Sequence, residues 1–259
     1  MAEFIQPSDI LKDFIKGYYI VEINSSTPFL PCERVFPTGN ACMVFHYGSP
    51  SLFIKKNSGA YIEPNLVICG QQNSYYDLSL AGNTGMILII FTPYGLQAFF
   101  HFPAKELSNE NLAFKDLTKK GANELEDKLL SSENNKQRIE ILESFFIQKL
   151  IFSKDFERIE YAVKLIEQYK GQIKTRQLAG EICLGIKQFE RIFSAHVGMT
   201  PKKFSGIVRL HHVIKTKNKY KNPDLNQLAI DNGYYDQSHF IHDFKKLTGQ
   251  TPGDFFNKK

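Results

Sequence analysis

Apolar positions change their period near the middle of the chain. Up to about residue 91 they come in short runs rich in β-branched and aromatic residues, at 18–23, 41–47, 51–54, 66–69, 75–80 and 86–91. Gly39-Asn40, Gly48-Ser49-Pro50, Asn57-Ser58-Gly59 and Gly82-Asn83 punctuate these runs with residues suited to tight turns. The pattern predicts several short strands in a sandwich or barrel, after a short opening helix over residues 7–16. The interior of such a unit either holds a small molecule or is filled by its own aromatic side chains. Farther on the spacing becomes helical, over residues 122–130, 137–150 and 159–168, and the polar stretch 131–136 separates the first two. Ile139, Leu142, Phe145, Phe146 and Leu150 fall broadly on one side of the second helix, placed to close the β-rich unit or to meet a second copy of it.

Residues 178–255 say nearly the same thing twice. Leu178-Ala179 returns as Leu228-Ala229 at an offset of 50, and an extra residue in the second turn makes the offset 51 for Phe189, Phe193, Gly198, Thr200-Pro201 and Phe204. Each copy reads as a short helix, a tight turn and a second helix. Leu178, Ala179 and Ile182 form the apolar stripe of the first helix, and Cys183-Leu184-Gly185 makes the turn. Phe189, Ile192 and Phe193 then supply the buried side of the second helix. Lys187, Glu190 and Arg191 are left outward at helical spacing, long enough to reach base edges or phosphates. In the second copy Asp236 stands where a side-chain acceptor caps a helix, and Phe240 and Phe244 are the buried pair. Gln237, Ser238, Ile241, His242 and Lys245 remain available to the outside. A doubled helix-turn-helix reads nucleic acid or, as a plain helical repeat, binds protein.

Charge separates these readings. Residues 1–150 hold 13 Lys/Arg against 16 Asp/Glu, whereas residues 151–259 hold 19 against 11, so the halves carry −3 and +8. A basic module joined to a slightly acidic one fits a polyanion-binding domain with a separate control domain. The chain is 42% hydrophobic and 23% charged, with no apolar run long enough to cross a bilayer and no visible export signal at its start. Cys32, Cys42, Cys69 and Cys183 have neither metal-ligand spacing nor a disulfide framework; they suit a reducing cytoplasm, mostly as buried thiols.

The doubled unit also carries a family pattern. Gly233-Tyr234, Asp236-Gln237-Ser238-His239-Phe240, Phe244-Lys245-Lys246, Gly249, Thr251-Pro252 and Phe255 are its clearest part, joined in the first copy by Leu178-Ala179, Arg191, Phe193, Gly198-Met199-Thr200-Pro201-Lys202 and Arg209-Leu210. The segment 157–255 thereby resembles the DNA-binding domain of the AraC/XylS family of bacterial transcription regulators. The resemblance implies two helix-turn-helix subdomains held by one linking helix, each laying its second helix in the major groove. By position it assigns base reading to Lys187, Glu190 and Arg191, and to Ser238, Ile241 and His242 with Gln237 beside them. Phosphate or supporting contacts fall to Lys202, Lys203, Arg209, Lys245 and Lys246. Two departures stand out: Gly185 replaces the usual Ser or Thr cap, and Tyr235 is bulkier than the residue often found in the second turn.

Residues 5–112 are loosely similar to a sensor-side domain of some AraC-type regulators, with a cupin-like flavour, through Phe36-Pro37-Thr38-Gly39, Phe91-Thr92-Pro93-Tyr94-Gly95-Leu96 and Phe100-His101-Phe102-Pro103. The run Phe99-Phe100-His101-Phe102 reads as core or domain contact. His46 and His101 look isolated, and no cluster has the spacing of a metal site or of a nucleophile with its base. The expected fold is therefore α+β in two domains. Residues 1–150 form a β-rich cupin-like sandwich or barrel with closing helices, and residues 155–259 form an all-α double helix-turn-helix domain. The expected function is a sequence-specific DNA-binding regulator in the cytoplasm, not an enzyme, without cofactor or metal. Double-stranded DNA is the expected partner, and a homodimer, an effector or protein partner at the N-terminal domain, and contact with RNA polymerase are left open. The alternatives are a non-specific or architectural DNA-binding protein, and a small-molecule-binding or enzymatic domain fused to a DNA-binding module.

Overall fold

Side chains alternate across a strand, so each run of the N-terminal half offers one face to each side of a sheet. The computed structural model, which describes residues 2–55, 59–118, 121–151, 153–219 and 224–256, places these runs in two antiparallel sheets. The strands are β1 (Ala2–Ile5), β2 (Ile15–Glu22), β3 (Glu33–Val35), β4 (Cys42–His46), β5 (Leu52–Lys55), β6 (Gly59–Ile62), β7 (Leu66–Cys69), β8 (Tyr76–Ser79), β9 (Gly85–Phe91) and β10 (Asn111–Ala113). One sheet has the order β1-β2-β9-β4-β7-β10 and the other β3-β8-β5-β6. Among the described residues the two sheets share no ladder, so their strands do not close into one continuous barrel.

The two faces of the larger sheet have different partners. Tyr18, Ile20, Met43, Phe45, Ile68 and Ile89 join the main core, while Val44, Val67, Cys69 and Met86 form a smaller cluster that fills the other side. The helices α1 (Phe114–Leu117), α2 (Ala122–Leu130) and α3 (Asn135–Lys149) close the first face. Phe146 of α3 meets the rings of Phe91 and Phe99 at 5.6 and 4.8 Å. Asn134 caps α3 by accepting from the Gln137 amide at 3.0 Å.

The C-terminal part is entirely helical among the described residues: α4 (Phe156–Gln168), α5 (Thr175–Glu181), α6 (Ile186–Val197), α7 (Pro201–Lys219), α8 (Leu225–Asp231), α9 (Gln237–Thr248) and α10 (Pro252–Phe256). Its apolar side continues the core of the sheet region without a break. The junction has several contacts. Phe204 lies so close to Gly39 that a Cβ there would sit 3.0 Å from its ring, Phe36 meets Phe255 at 5.3 Å, and His211 donates to the Pro37 carbonyl at 2.8 Å. The Ser108 hydroxyl donates to the Gly198 carbonyl, and Ser153 bonds His196 at 3.3 Å.

Several expectations need correction. No helix forms over residues 7–16: turns closed by Leu11 and Lys12 amides on the Ser8 carbonyl occupy the stretch, and Ile15 already pairs with Phe91 in the sheet. Sheet pairing takes residues from what a local period assigns to a helix. The strands β1, β3, β6 and β10 were not signalled, because each is short and depends on a neighbour for its pairing. His46 is not isolated; it is buried and bonds Glu63 at 3.1 Å. Cys32 and Cys183 are exposed rather than buried. The turn expected at Asn57-Ser58 lies outside the described residues.

Phe204 is 1% exposed and also meets Phe193 at 5.9 Å, so it serves the first helix-turn-helix unit and the junction together. Phe204→Ala is expected to lower stability by about 3–5 kcal/mol in urea denaturation. A loss below about 1 kcal/mol would show that the junction is not part of the cooperative core.

Candidate nucleic-acid interface

The two units are built alike and end differently. In the first, α5 buries Leu178 and Ala179 against Phe189, Ile192 and Phe193 of α6; in the second, α8 buries Leu228 and Ala229 against Phe240 and Phe244 of α9. The aromatic pairs correspond, at 5.5 Å for Phe189–Phe193 and 5.6 Å for Phe240–Phe244. Both second helices stop at a left-handed glycine, Gly198 at φ 84° and Gly249 at φ 76°, whose amide bonds back to the last turn. A side chain at such a φ is strained, which accounts for glycine in both copies.

The turns differ in chemistry. Gly233 adopts φ 73° in the second, and its counterpart in the first, Cys183, adopts φ 55° without being a glycine. Asp236 accepts from the His239 amide at 2.7 Å and caps α9, whereas Gly185 at the start of α6 offers no side-chain cap. Tyr235 is 91% exposed and points away from the fold, so its bulk leaves the turn undisturbed.

The outward faces of α6 and α9 hold the expected reading residues. Lys187, Glu190, Arg191, Gln237, Ser238 and His242 are exposed, and Ile241 is half-buried. Among the described residues Lys187, Glu190 and Arg191 form no ion pair with one another or with a neighbour. On α9 both His239 and His242 approach Asp243, at 3.4 and 3.5 Å. Lys245 and Lys246 are exposed near the end of α9, and Lys202 and Lys203 on the first turn of α7. Lys202, Lys203, Lys246 and Asp243 line a groove of about 340 Å³ between these helices, with Asn73 of the sheet region at its edge.

Arg209 of α7 reaches the turn of the second unit. Its Nη1 donates to the Gly233 carbonyl at 3.2 Å and the guanidinium lies 4.8 Å from the Tyr234 ring centroid, bracing α7 against the second turn. Burial, opposed by Arg209, pushes the Tyr234 hydroxyl up to about 12. Sequence reasoning missed Asn232, whose buried side chain donates to the Leu228 carbonyl at 2.8 Å and closes α8. It also missed His196, which fixes the end of α6 through the Ile192 carbonyl at 2.9 Å and Ser153. Neither follows from a local pattern, since each depends on where the chain returns. Among the described residues no group of three or more His, Cys, Asp or Glu is placed to hold a metal ion, and no helix is long and apolar enough to cross a membrane.

Two helix-turn-helix units joined by the linking helix α7 make up most of the C-terminal region. Comparison with known proteins gives two family matches, a helix-turn-helix domain over residues 178–258 and a domain of unknown function (DUF6597) over residues 3–113. Among curated relatives, an uncharacterised HTH-type transcriptional regulator of Haemophilus influenzae is 26% identical over 116 residues, 44% of this chain and 39% of that protein. The XylDLEGF operon transcriptional activator 1 of Pseudomonas putida is 24% identical over 119 residues, 44% of this chain and 35% of that protein. The chain thus spans well under half the length of these relatives. Among solved structures, ToxT from Vibrio cholerae O395 is similar over 95% of this chain and 97% of its own, with 13% identity and a TM-score of 0.45. The C-terminal domain of AraT from Geobacillus stearothermophilus is similar over 41% of this chain and 89% of its own, with 17% identity and a TM-score of 0.38.

The unequal caps are open to test. Nothing lies within 4 Å of a Cβ built at Gly185, and its ψ of 146° suits a capping residue. Gly185→Ser should stabilise the chain by a few tenths of a kcal/mol in thermal denaturation, while Asp236→Ala should destabilise it by about 0.5–2 kcal/mol. Equal and negligible effects would show that neither helix start limits stability.

Proposed function

We propose that this chain is a sequence-specific DNA-binding transcription regulator of the AraC/XylS type, laying α6 and α9 in two successive major grooves. One observation carries the reading: both helices bury their aromatic side in a shared core and turn an exposed polar face outward. Lys187, Glu190 and Arg191 read bases from the first unit, and Gln237, Ser238, Ile241 and His242 from the second. Lys202, Lys203, Lys245 and Lys246 neutralise phosphates around them. A purely architectural binder needs only the lysines, whereas the mixed acid, base and amide groups of these faces suit hydrogen-bond discrimination. The name of the Pseudomonas relative, a transcriptional activator, agrees in class. The β-rich region acts as a control domain through the contacts that Phe36, Pro37 and Gly39 make with α7 and α10.

Footprinting is expected to show two protected segments for each monomer, separated by roughly 34 Å of duplex. A single protected groove at saturating protein rejects the geometry. Arg191→Ala should lose about 1–3 kcal/mol of discrimination between operator and random DNA if its guanidinium pairs with guanine. Equal weakening on both DNAs, measured by titration at fixed salt, would assign Arg191 to phosphate instead.

A further inference from the structure

Cys42 and Cys69 stand opposite each other across the β4–β7 pair as direct partners in its register. Both side chains turn to the same cluster, with Val44, Val67 and Met86. The His46 amide donates to the Asn65 carbonyl at 2.7 Å, so the cysteines, four steps along the ladder, form a hydrogen-bonded pair of strand positions. Such a pair holds its Cα atoms about 5.5 Å apart, inside the roughly 4.4–6.8 Å that a disulfide spans. A hydrogen bond with the Cys42 thiol, and then burial, raise the Cys69 thiol well above its ordinary range. Cys42 is half-buried and is the more accessible of the two.

Both cysteines sit at the root of a loop that docks the helix-turn-helix region. Cys42 follows the loop bearing Phe36, Pro37 and Gly39, which meet Phe255, His211 and Phe204. Cys69 precedes Gly70-Gln71. The Gln71 side chain, 2% exposed, donates to the Gly39 carbonyl at 2.7 Å and lies against Gly198 at the end of α6. One side chain therefore ties the two loops and the first unit together.

We propose that Cys42 and Cys69 form a reversible disulfide on oxidation by hydrogen peroxide, and that this bond loosens the docking of the helix-turn-helix units on the sheet. The Cys42 sulfur, deprotonated, attacks one peroxide oxygen; the O–O bond breaks, leaving a sulfenic acid, and the departing hydroxide takes up the proton as water. Cys69 loses its proton and attacks the Cys42 sulfur, the S–O bond breaks, and that hydroxide leaves as a second water. Two thiols and one peroxide become one disulfide and two waters. Directly opposite Cβ atoms lie about 4.5–5.5 Å apart, and a disulfide needs about 3.5–4.5 Å. The strands must draw together at the roots of both loops, displacing Gly39 and Gln71. A link closed under such strain is readily reduced by thiols, as a reversible device requires.

The test uses the full chain carrying Cys32→Ser and Cys183→Ser, which removes the two exposed thiols. After peroxide treatment, peptide mapping should find the Cys42 and Cys69 peptides linked. Amide hydrogen exchange in residues 36–41 and 198–211 should speed up on the order of tenfold, the effect of a lost hydrogen bond. Dithiothreitol should reverse both changes. Adding Cys69→Ser should leave a Cys42 sulfenic acid that dimedone traps, with exchange unaltered. The proposal is overturned if Cys42 accumulates as sulfenic acid without linkage, or if linkage leaves exchange unchanged. Global loss of helical circular dichroism on oxidation overturns it as well.

Discussion

A single apolar core runs from the larger sheet through the closing helices into both helix-turn-helix units, and the placement of every outward residue depends on it. Phe204 is the clearest case, because its ring closes on Gly39 of the sheet region and on Phe193 of α6 together. Close-packed interiors transmit small displacements. The position of α6 is thus coupled to the loop at 36–41 and not only to its own turn. At the other end Phe255 joins Phe36 to Phe244, giving the second unit an equivalent anchor.

Within the helical region the two copies share their buried chemistry and differ where chain ends meet solvent. Core positions admit only residues of the right volume, so the phenylalanine pairs return in each copy. Caps and turns each contribute about a kcal/mol and tolerate change. The second unit has a capped α9 and a true glycine in its turn; the first has an uncapped α6 and a cysteine at φ 55°. Two units with the same scaffold can therefore differ in the firmness with which they hold their outer faces. Arg209 adds to the difference by bracing only the second turn from the linking helix.

The β-rich region contains polar groups placed well inside. His46, 1% exposed, bonds Glu63, which also accepts from Asn111 at 3.5 Å; the other imidazole nitrogen of His46 is buried without a partner. Burying such groups is costly unless they are bonded to one another. They bind β4 to the segment before β7 and to β10 by a directional contact where the neighbouring apolar side chains give none. The small cluster of Val44, Val67, Cys69 and Met86 lies on the same side of the sheet.

Local chemistry made much of the molecule legible in the sequence. The strands at β2, β4, β7 and β9, the helices α2 to α4 and both helix-turn-helix units follow from period, turn residues and caps, because each has a face of its own to bury. Outward residues such as Lys187, Arg191 and His242 follow from the same periods, by exclusion from the buried face. Other features exist only in three dimensions. The strands β1, β3, β6 and β10 are too short to declare themselves, and residues 7–16 are drawn out of a helical period by the pairing of Ile15 with Phe91. The bond between His46 and Glu63, the facing of Cys42 and Cys69, and the closure of Gln71 on Gly39 each join residues 17 to 32 positions apart. Such contacts come from strand register and domain docking, and no local pattern of apolar and polar residues encodes which distant partner the fold will bring opposite.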